Sequence, residues 1–572
     1  MEVTVPRPAV IAERPPRWRT NWAPVTATVV VALAAAALLL QASWPRTLDL
    51  HPVSVVPVRN ETGDAAVDSL ARLATDWIEE SLADVALFVE SRRLVGGALG
   101  RARTSVTGSI TRHGQALHLS AQIRTPQGVS WAIGPVATSL AFPAPAIDEV
   151  RQRVTGGIAA LRNPSLASWF PLATSPPTLE AYTEFLQGLT ADRPGQRRDA
   201  LTHLHRAATL DTTFTLALLQ AVQLHRYQID TAGANSILRA LDGLRDRLPP
   251  LQRDWLDWLA YRYRDPVRAY DAVRSAATVA PQRFLIDFAR AARLARRPRE
   301  TIRLLESVPF DAADRGQAPA RMALLAESWH ELAEHRRELR VARQARRLDM
   351  TDLQALSNEV RARAALGQSR AVIALLDTAL ALPVHAFYTP GDVMLLAARE
   401  LAAHQHPEPA RQALGLAIAW YRSRPSHGAD TERDRWALAE SLYLAGCWAR
   451  SEPQRLLLLA EADSLFRVVA GDPQFALEIQ GNLGAIAARR GDRRTAEQIL
   501  ASLETFMRST SSPPGEGYFA DATIRAVLGD AEGALASLRE WVGGQGWDLH
   551  TQLDFESLMA HAQFREFTRP KG

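Results

Sequence analysis

The stretch His330-Glu331-Leu332-Ala333-Glu334-His335 comes closest to a metal-binding signature in this sequence. A metalloprotease helix carries its two histidines four residues apart, so that both imidazoles leave the same face. Here the spacing is five, which on a continuous helix at ~100° per residue turns the two rings ~140° apart. Read as one helix, the pair does not clamp an ion. His203 and His205 fall on opposite sides of an expected helix, and His404 and His406 lie beside a proline in an expected loop, so solvated or partly buried histidines are expected at both places. Gly128-Val129-Ser130-Trp131-Ala132 is one residue short of a nucleophile elbow and sits in an expected hairpin, where the serine lacks the strained strand-to-helix turn that exposes a nucleophile.

Lysine chemistry is excluded more firmly. Lys571 is the one lysine among 66 Lys+Arg residues, so no phosphate-binding loop, no kinase active site and no Schiff base can be built in the body of the chain. Cys447 is the one cysteine, which rules out an intramolecular disulfide and any Cys-pair metal or redox site. No catalytic residue, cofactor or metal is therefore expected, and the chain reads as non-enzymatic. A hydrolase using Asp/Glu pairs stays open, because carboxylates leave no spacing signature. The net charge of +4 and the pI near 9.4 come from interspersed arginines, so nucleic acid is not an expected partner.

One basic feature is periodic. Arg336, Arg340, Arg343 and Arg347 recur at helical spacing, with Arg337 and Arg346 beside them. Such a stripe could hold an acidic peptide or a terminal carboxylate through forked hydrogen bonds. Equally, with Glu334 and Glu338 as i, i+4 partners, it could be the solvated face of a second helix.

These residues belong to a chain with an uneven plan. Residues 1–21 are rich in proline and read as a disordered tail. Residues 22–44 contain the uncharged run Val25 to Leu40 between Trp22 and Trp44, long enough at ~1.5 Å per residue to cross a bilayer. Arg7, Arg14, Arg17 and Arg19 precede this run and Arg46 alone follows closely, which predicts an inner-membrane helix with a cytoplasmic N-terminus and the bulk periplasmic. A cleavable signal peptide and a buried core helix are the alternatives.

Residues 51–162 read as a small α+β domain. Val53 to Val58 is a β-branched run followed by the turn residues Asn60, Gly63 and Asp64. An amphipathic helix around Leu70 to Leu82 follows, then short strands at 85–89, 105–110, 116–123 and 129–133, and a closing helix at 148–161. Residues 178–541 read as continuous paired helices. A turn residue is followed five positions later by a small or β-branched residue and nine positions later by Leu: Gly195/Ala200/Leu204, Gly367/Val372/Leu376, Gly491/Ala496/Leu500, Gly529/Ala534/Leu538, and a degenerate Arg296/Thr301/Leu305. The glycine permits the turn, the small residue lets the second helix approach the first, and leucine fills the interface. About eight to ten helix pairs fit, with residues 542–572 as a C-terminal cap. The expected fold is thus mainly α: a tetratricopeptide-type α-solenoid preceded by a transmembrane helix and a small α+β domain.

The run VVPVRNETGD at 55–64, then TGSITRHGQALHLSAQI at 107–123 and GVSW at 128–131, resembles the TolB-type N-terminal α/β domain of bacterial signalling proteins. Leu366-Gly367, Arg490-Gly491-Asp492 and Leu528-Gly529-Asp530 look like the inter-helix turn of tetratricopeptide repeats, and the tail LDFESLMAHAQFREFTRPKG resembles the end of such arrays in membrane-attached proteins that carry serine/threonine kinases elsewhere. The resemblance implies a membrane-anchored scaffold that offers a solenoid groove to a protein or peptide, in signalling, with no kinase on this chain. It assigns no catalytic residue. The alternative it leaves is a ligand sensor built on the α+β domain.

Overall fold

The structure, a computed structural model, describes residues 53–85, 89–91, 104–126, 128, 130–163, 175–192, 196–227, 231–262, 265–308, 317–384, 388–424, 431–469, 476–509, 515–541 and 549–569. The α+β unit forms first. Strands β1 (Val53–Val55), β2 (Arg59–Asn60), β3 (Val89–Ser91), β4 (Ser105–His113), β5 (Ala116–Arg124) and β6 (Ser130–Thr138) make one sheet in the order β3-β1-β4-β5-β6, with β2 paired beside β1 on β4. β1 runs parallel to β3 and β4, while β4, β5 and β6 form an antiparallel meander. Along β4 and β5 burial alternates residue by residue, as a sheet with one covered face requires. Helices α1 (Asp68–Val85) and α2 (Ala144–Leu161) supply that cover through Leu70, Ile78, Leu82, Ile147, Val150 and Val154.

The Asn60-to-Asp64 turn is consumed by structure. Asn60 donates to Asp68 at 2.7 Å and accepts from Thr62, Asp64 caps the next turn, and Arg112 pairs with Asp64 at 2.8 Å. Ser130 opens β6, and its hydroxyl accepts from Gln122 at 3.0 Å, so it is a strand residue and not an elbow.

Among the described residues ten helix pairs follow: α3 (Leu179–Ala191) with α4 (Arg197–Leu210), α5 (Thr215–Tyr227) with α6 (Thr231–Asp242), α7 (Pro250–Tyr261) with α8 (Pro266–Val279), α9 (Pro281–Leu294) with α10 (Pro298–Ser307), and α11 (Ala318–Glu331) with α12 (His335–Leu348). The stack continues with α13 (Leu353–Ala365) and α14 (Ser369–Leu380), α15 (Pro390–Ala403) and α16 (Pro407–Arg422), α17 (Thr431–Cys447) and α18 (Glu452–Val469), α19 (Ala476–Arg489) and α20 (Arg493–Ser509), and α21 (Gly515–Leu528) and α22 (Ala531–Glu540). The α+β unit and the solenoid share a packed junction. A methyl group at Gly156 of α2 would overlap the carbonyl of Pro177, and Arg153 of α2 pairs with Asp211 at 3.0 Å.

Within a pair the two helices meet at a corner whose backbone repeats. Residues Arg296, Ala333, Gly367, Gln405, Gly491 and Gly529 all have left-handed φ, between 56° and 86°. At each, the corner N–H bonds the carbonyl three residues back and the next N–H bonds the carbonyl five residues before itself, for example Gly367 to Ala364 and Gln368 to Arg363, both at 2.9 Å. This is the double-bonded helix ending that satisfies otherwise orphaned carbonyls. Four of these corners are the turn positions of the counted triplets; Ala333 and Gln405 are two the triplets miss, and Gly195 lies outside the described residues.

The membrane part of the expected fold is corrected. Among the described residues no helix is long and apolar enough to cross a membrane. Helices α1, α2 and α18 each reach 18 residues, ~27 Å, but each is interrupted by charges such as Asp76, Glu79 and Glu80 in α1. The expected span at 22–44 lies outside the described residues. No described helix supplies the expected membrane anchor, on which the inner-membrane, periplasmic location depended.

The C-terminal segment does more than end the stack. Two short 3₁₀ turns, Leu549–Thr551 and Leu553–Leu558, lead into α23 (Ala562–Thr568). Phe555, Leu558 and Phe564 pack with Ala522, Ala526 and Leu538 of the last pair. The same segment then touches the first helices, or their corners, of far earlier pairs: Asp554 pairs with Arg489 at 2.6 Å and bonds Tyr443, His550 faces Glu400, and Arg569 accepts from Arg296 at 2.9 Å. The stack curves so that residues 273 apart in sequence meet.

Candidate functional site

Side chains with chemistry converge where α11, α12, α13, α15 and the C-terminal segment meet. The helix expected to run through 330–335 does not exist. α11 ends at Glu331, α12 begins at His335, and the corner at Ala333 folds the chain back on itself. The ~140° separation therefore does not apply, and the His330 and His335 rings stand 5.0 Å apart, centroid to centroid. His550 lies 5.4 Å from His330, and His404 lies 5.4 Å from His335 and 5.9 Å from His550. Four histidines from four places in the chain thus surround one centre.

Two buried glutamates organise them. Glu338 accepts from Nδ1 of His330 at 2.9 Å, from Nδ1 of His335 at 3.2 Å, and from Nε of Arg361 at 2.7 Å. Burial acts to raise its pKa, but Arg361 and the two histidines outweigh that and hold it at about 2. Glu400, on α15, is 1% exposed. Its Oε1 lies 3.5 Å from Nε2 of His330, and its Oε2 lies 3.6 Å from Nε2 of His404 and 3.5 Å from Nε2 of His550. These separations exceed a good hydrogen bond, and neither Glu400 oxygen accepts one among the described residues. Burial again acts upward on its pKa, and the facing imidazoles of His330, His404 and His550 bring it below the ordinary carboxylate range. His330 shifts down, chiefly through burial, which favours the neutral ring. At both carboxylates the neighbouring cationic groups favour the ionised form.

The positions in the repeat explain why this matters. Five residues after the corner, the buried side chain is Thr301, Val372, Ala410, Ala496 or Ala534 elsewhere, but Glu338 here. Five residues before it, Ala291, Ser328, Ala362, Ile486 and Ile524 are buried, and Glu400 takes the same place before Gln405. Three before it, alanine stands at four corners, Arg293 at the corner of Arg296 and His330 at the corner of Ala333. Carboxylates and an imidazole thus occupy places where most of the other corners hold small or apolar side chains, and each costs free energy there unless its charge is matched. Charge continues around the centre, where Arg293 of α9 pairs with Glu327 at 3.1 Å and Glu331 at 3.0 Å.

The arginine stripe lies elsewhere. Arg336, Arg340, Arg343 and Arg347 are exposed along α12, 140–200° around the helix from Glu338. Glu338 is thus no partner for them; Arg343 reaches Glu359 of α13 at 3.4 Å, and the neighbouring Arg346 reaches it at 3.0 Å. Arg337 lies over the Trp329 ring at 4.7 Å. Of the other histidines, His203 pairs with Glu184 at 2.7 Å, and His205 is a ring neighbour of His225.

One part of the centre had a sequence signal. Glu400 and His404, the residue that caps the end of α15, are i, i+4, the spacing that puts two donors on one face. His550 carried none, since it reaches the centre only through the fold of the tail.

No known family profile matches the chain, and no curated protein matches it. Similar solved structures include the P58(IPK) TPR domain, at 12% identity over 68% of this chain and 96% of that one, with a TM-score of 0.19. Another is Naa15/Naa10 bound to HypK-THB, at 14% identity over 68% of this chain and 67% of that one, with a TM-score of 0.21. At such scores the likeness carries no argument, and the repeat architecture rests on the corners described above. The resemblance of the α+β unit to TolB-type domains, and that of the chain to kinase-bearing proteins, gains no support from these comparisons.

Proposed function

We propose that the chain is a non-enzymatic scaffold whose paired-helix stack binds a protein or peptide partner. The observation that carries this reading is the C-terminal segment itself. Residues 549–569 lie as a short, mostly non-repetitive strip against the first-helix side of pairs far apart in sequence, held by Arg489, Tyr443 and Arg296. A surface that holds one such strip offers the apolar slots and forked arginine donors that another would use. The exposed stripe of Arg336, Arg340, Arg343 and Arg347 on α12 is the second candidate surface, suited to acidic sequences.

Site-specific photo-cross-linking on the full chain tests this. Probes placed at Arg340 and, separately, at Arg490 beside the tail anchor should capture the same protein from native extract, with charge reversal at Arg336 and Arg340 removing one set of cross-links. Capture confined to probes in residues 53–161 would overturn the scaffold reading in favour of a sensing α+β domain.

A further inference from the structure

We infer that Glu400, His330 and His550, with His404 beside them, form a binding site for one divalent first-row transition-metal ion, Zn²⁺ fitting best, which fastens the C-terminal segment to the solenoid. The proposal stands apart from the scaffold reading, because metal binding can fail while partner binding holds.

The donor atoms are arranged for it. One donor atom each from His330, Glu400 and His550 lies within 4.8 Å of the others. Three Nε2 atoms face the two oxygens of Glu400 at 3.5, 3.6 and 3.5 Å. Two ligands at ~2.1 Å from a tetrahedral ion are ~3.4 Å apart, so these distances suit atoms that share an ion better than atoms that share a proton. No donor pair of the set is more than 4.8 Å apart, so closing onto a tetrahedral ion needs a contraction of at most about 1.4 Å, within reach of side-chain rotations. Imidazole nitrogen with carboxylate oxygen is the ligand set of zinc and its first-row neighbours and a poor one for calcium or magnesium, which prefer oxygen throughout.

Two independent observations point to a cation as the ligand of this cluster. Glu400 is a buried carboxylate, and neither of its oxygens accepts a hydrogen bond among the described residues; Nε2 of His404, which faces it, is buried and likewise makes none. A charge in that state is costly without a counter-ion within contact distance. Second, His330 carries the outer support that metal-bound histidines have. Its Nδ1 donates to Glu338 at 2.9 Å, which leaves the Nε2 lone pair directed at the site, and Glu338 is itself fixed by Arg361 at 2.7 Å. Glu338 is therefore a positioning residue rather than a ligand.

The ligands also explain the route of the tail. Glu400 and His404 come from α15, His330 from α11 and His550 from the turn Leu549–Thr551, so a bound ion joins two repeats to the C-terminal segment. Next to His550, Leu553 packs into the core between α13 and α17 and Asp554 reaches Arg489, so the segment is already placed for the imidazole to bind.

The test uses the full chain, freed of metal by chelator dialysis and titrated with Co²⁺ and then Zn²⁺. The proposal expects one ion per chain, a visible Co²⁺ spectrum of low coordination number, and its displacement by Zn²⁺. Glu400→Gln and His550→Ala should each weaken binding about 100-fold, and Glu338→Gln about 10-fold through loss of ring orientation, while His203→Ala leaves it unchanged. His550→Ala guards against an effect of misfolding, since His550 lies in a surface turn outside the helix pairs. Hydrogen exchange supplies the second readout: removal of the ion should speed exchange over residues 549–558 in the wild-type chain and change nothing in His550→Ala. Absence of stoichiometric Co²⁺ or Zn²⁺, wild-type affinity in Glu400→Gln and His550→Ala, or exchange indifferent to the ion would overturn the proposal; in each case the cluster is a proton-sharing network alone.

Discussion

The corners at Ala333 and Gln405 and those at Gly491 and Gly529 share one backbone and hold opposite contents. All four bend through left-handed φ and close with the same pair of hydrogen bonds. Around Gly491 and Gly529 the buried neighbours are Ile486, Ala496, Ile524 and Ala534, an apolar set that stabilises by area removed from water. At Ala333 the same two places hold Ser328 and Glu338 and at Gln405 they hold Glu400 and Ala410, while His330 stands where Gly491 and Gly529 have Ala488 and Ala526. The geometry of a helix pair is thus set by the corner and by volume. Its core chemistry is free to change where charges find partners, and a polar set kept at a buried place against its desolvation cost marks function more strongly than an exposed stripe.

Four measurements sharpen or break that contrast, all by chemical denaturation of the full chain. The largest effect is expected from Ala534→Glu, which copies Glu338 into an apolar corner with no waiting cation. It should cost about 4 kcal/mol or more, and a wild-type midpoint would show that the contrast has no energetic content. Glu338→Ala restores the small residue in the polar corner but leaves Arg361 buried and unmatched, so a loss of about 3 kcal/mol is expected. Adding Arg361→Ala should return part of it; if the double variant is less stable than the single, the ion pair is not what holds this corner. Gly529→Val forces a β-branched side chain into φ 86° and should cost about 1–2 kcal/mol. The smallest change is Ala333→Gly, where relief of the left-handed strain at φ 56° is offset by chain entropy, leaving a gain of about 0.5 kcal/mol. A loss there would mean that the alanine methyl packs against the centre.

The fold was legible where local chemistry repeats. Glycine at 367, 491 and 529 signals a left-handed corner because no other residue adopts it freely, and Val372, Ala496 and Ala534 follow as the close-approach positions. Alternating burial on β4 and β5 is equally visible in sequence, since side chains in a strand change face at every residue. Ala333 and Gln405 were hidden because an alanine or glutamine with positive φ gives no compositional sign; with that corner missed, 330–335 looked like one helix and its histidines looked divergent. The expected span at 22–44 rests on an uncharged run between Trp22 and Trp44 and on the excess of arginine before it, and no described helix is long and apolar enough to cross a membrane.

What the sequence determined alone was the helix-pair period, the α+β unit ahead of it, and the absence of lysine and cysteine-pair chemistry, because each follows from residue type and near-neighbour spacing. Tertiary structure decided the rest. His330, Glu400 and His550 are separated by 70 and 150 positions, and only the curvature of the stack and the return of the tail bring them together. Distances between residues that far apart are set by packing summed over many repeats, and no local pattern of side chains encodes them.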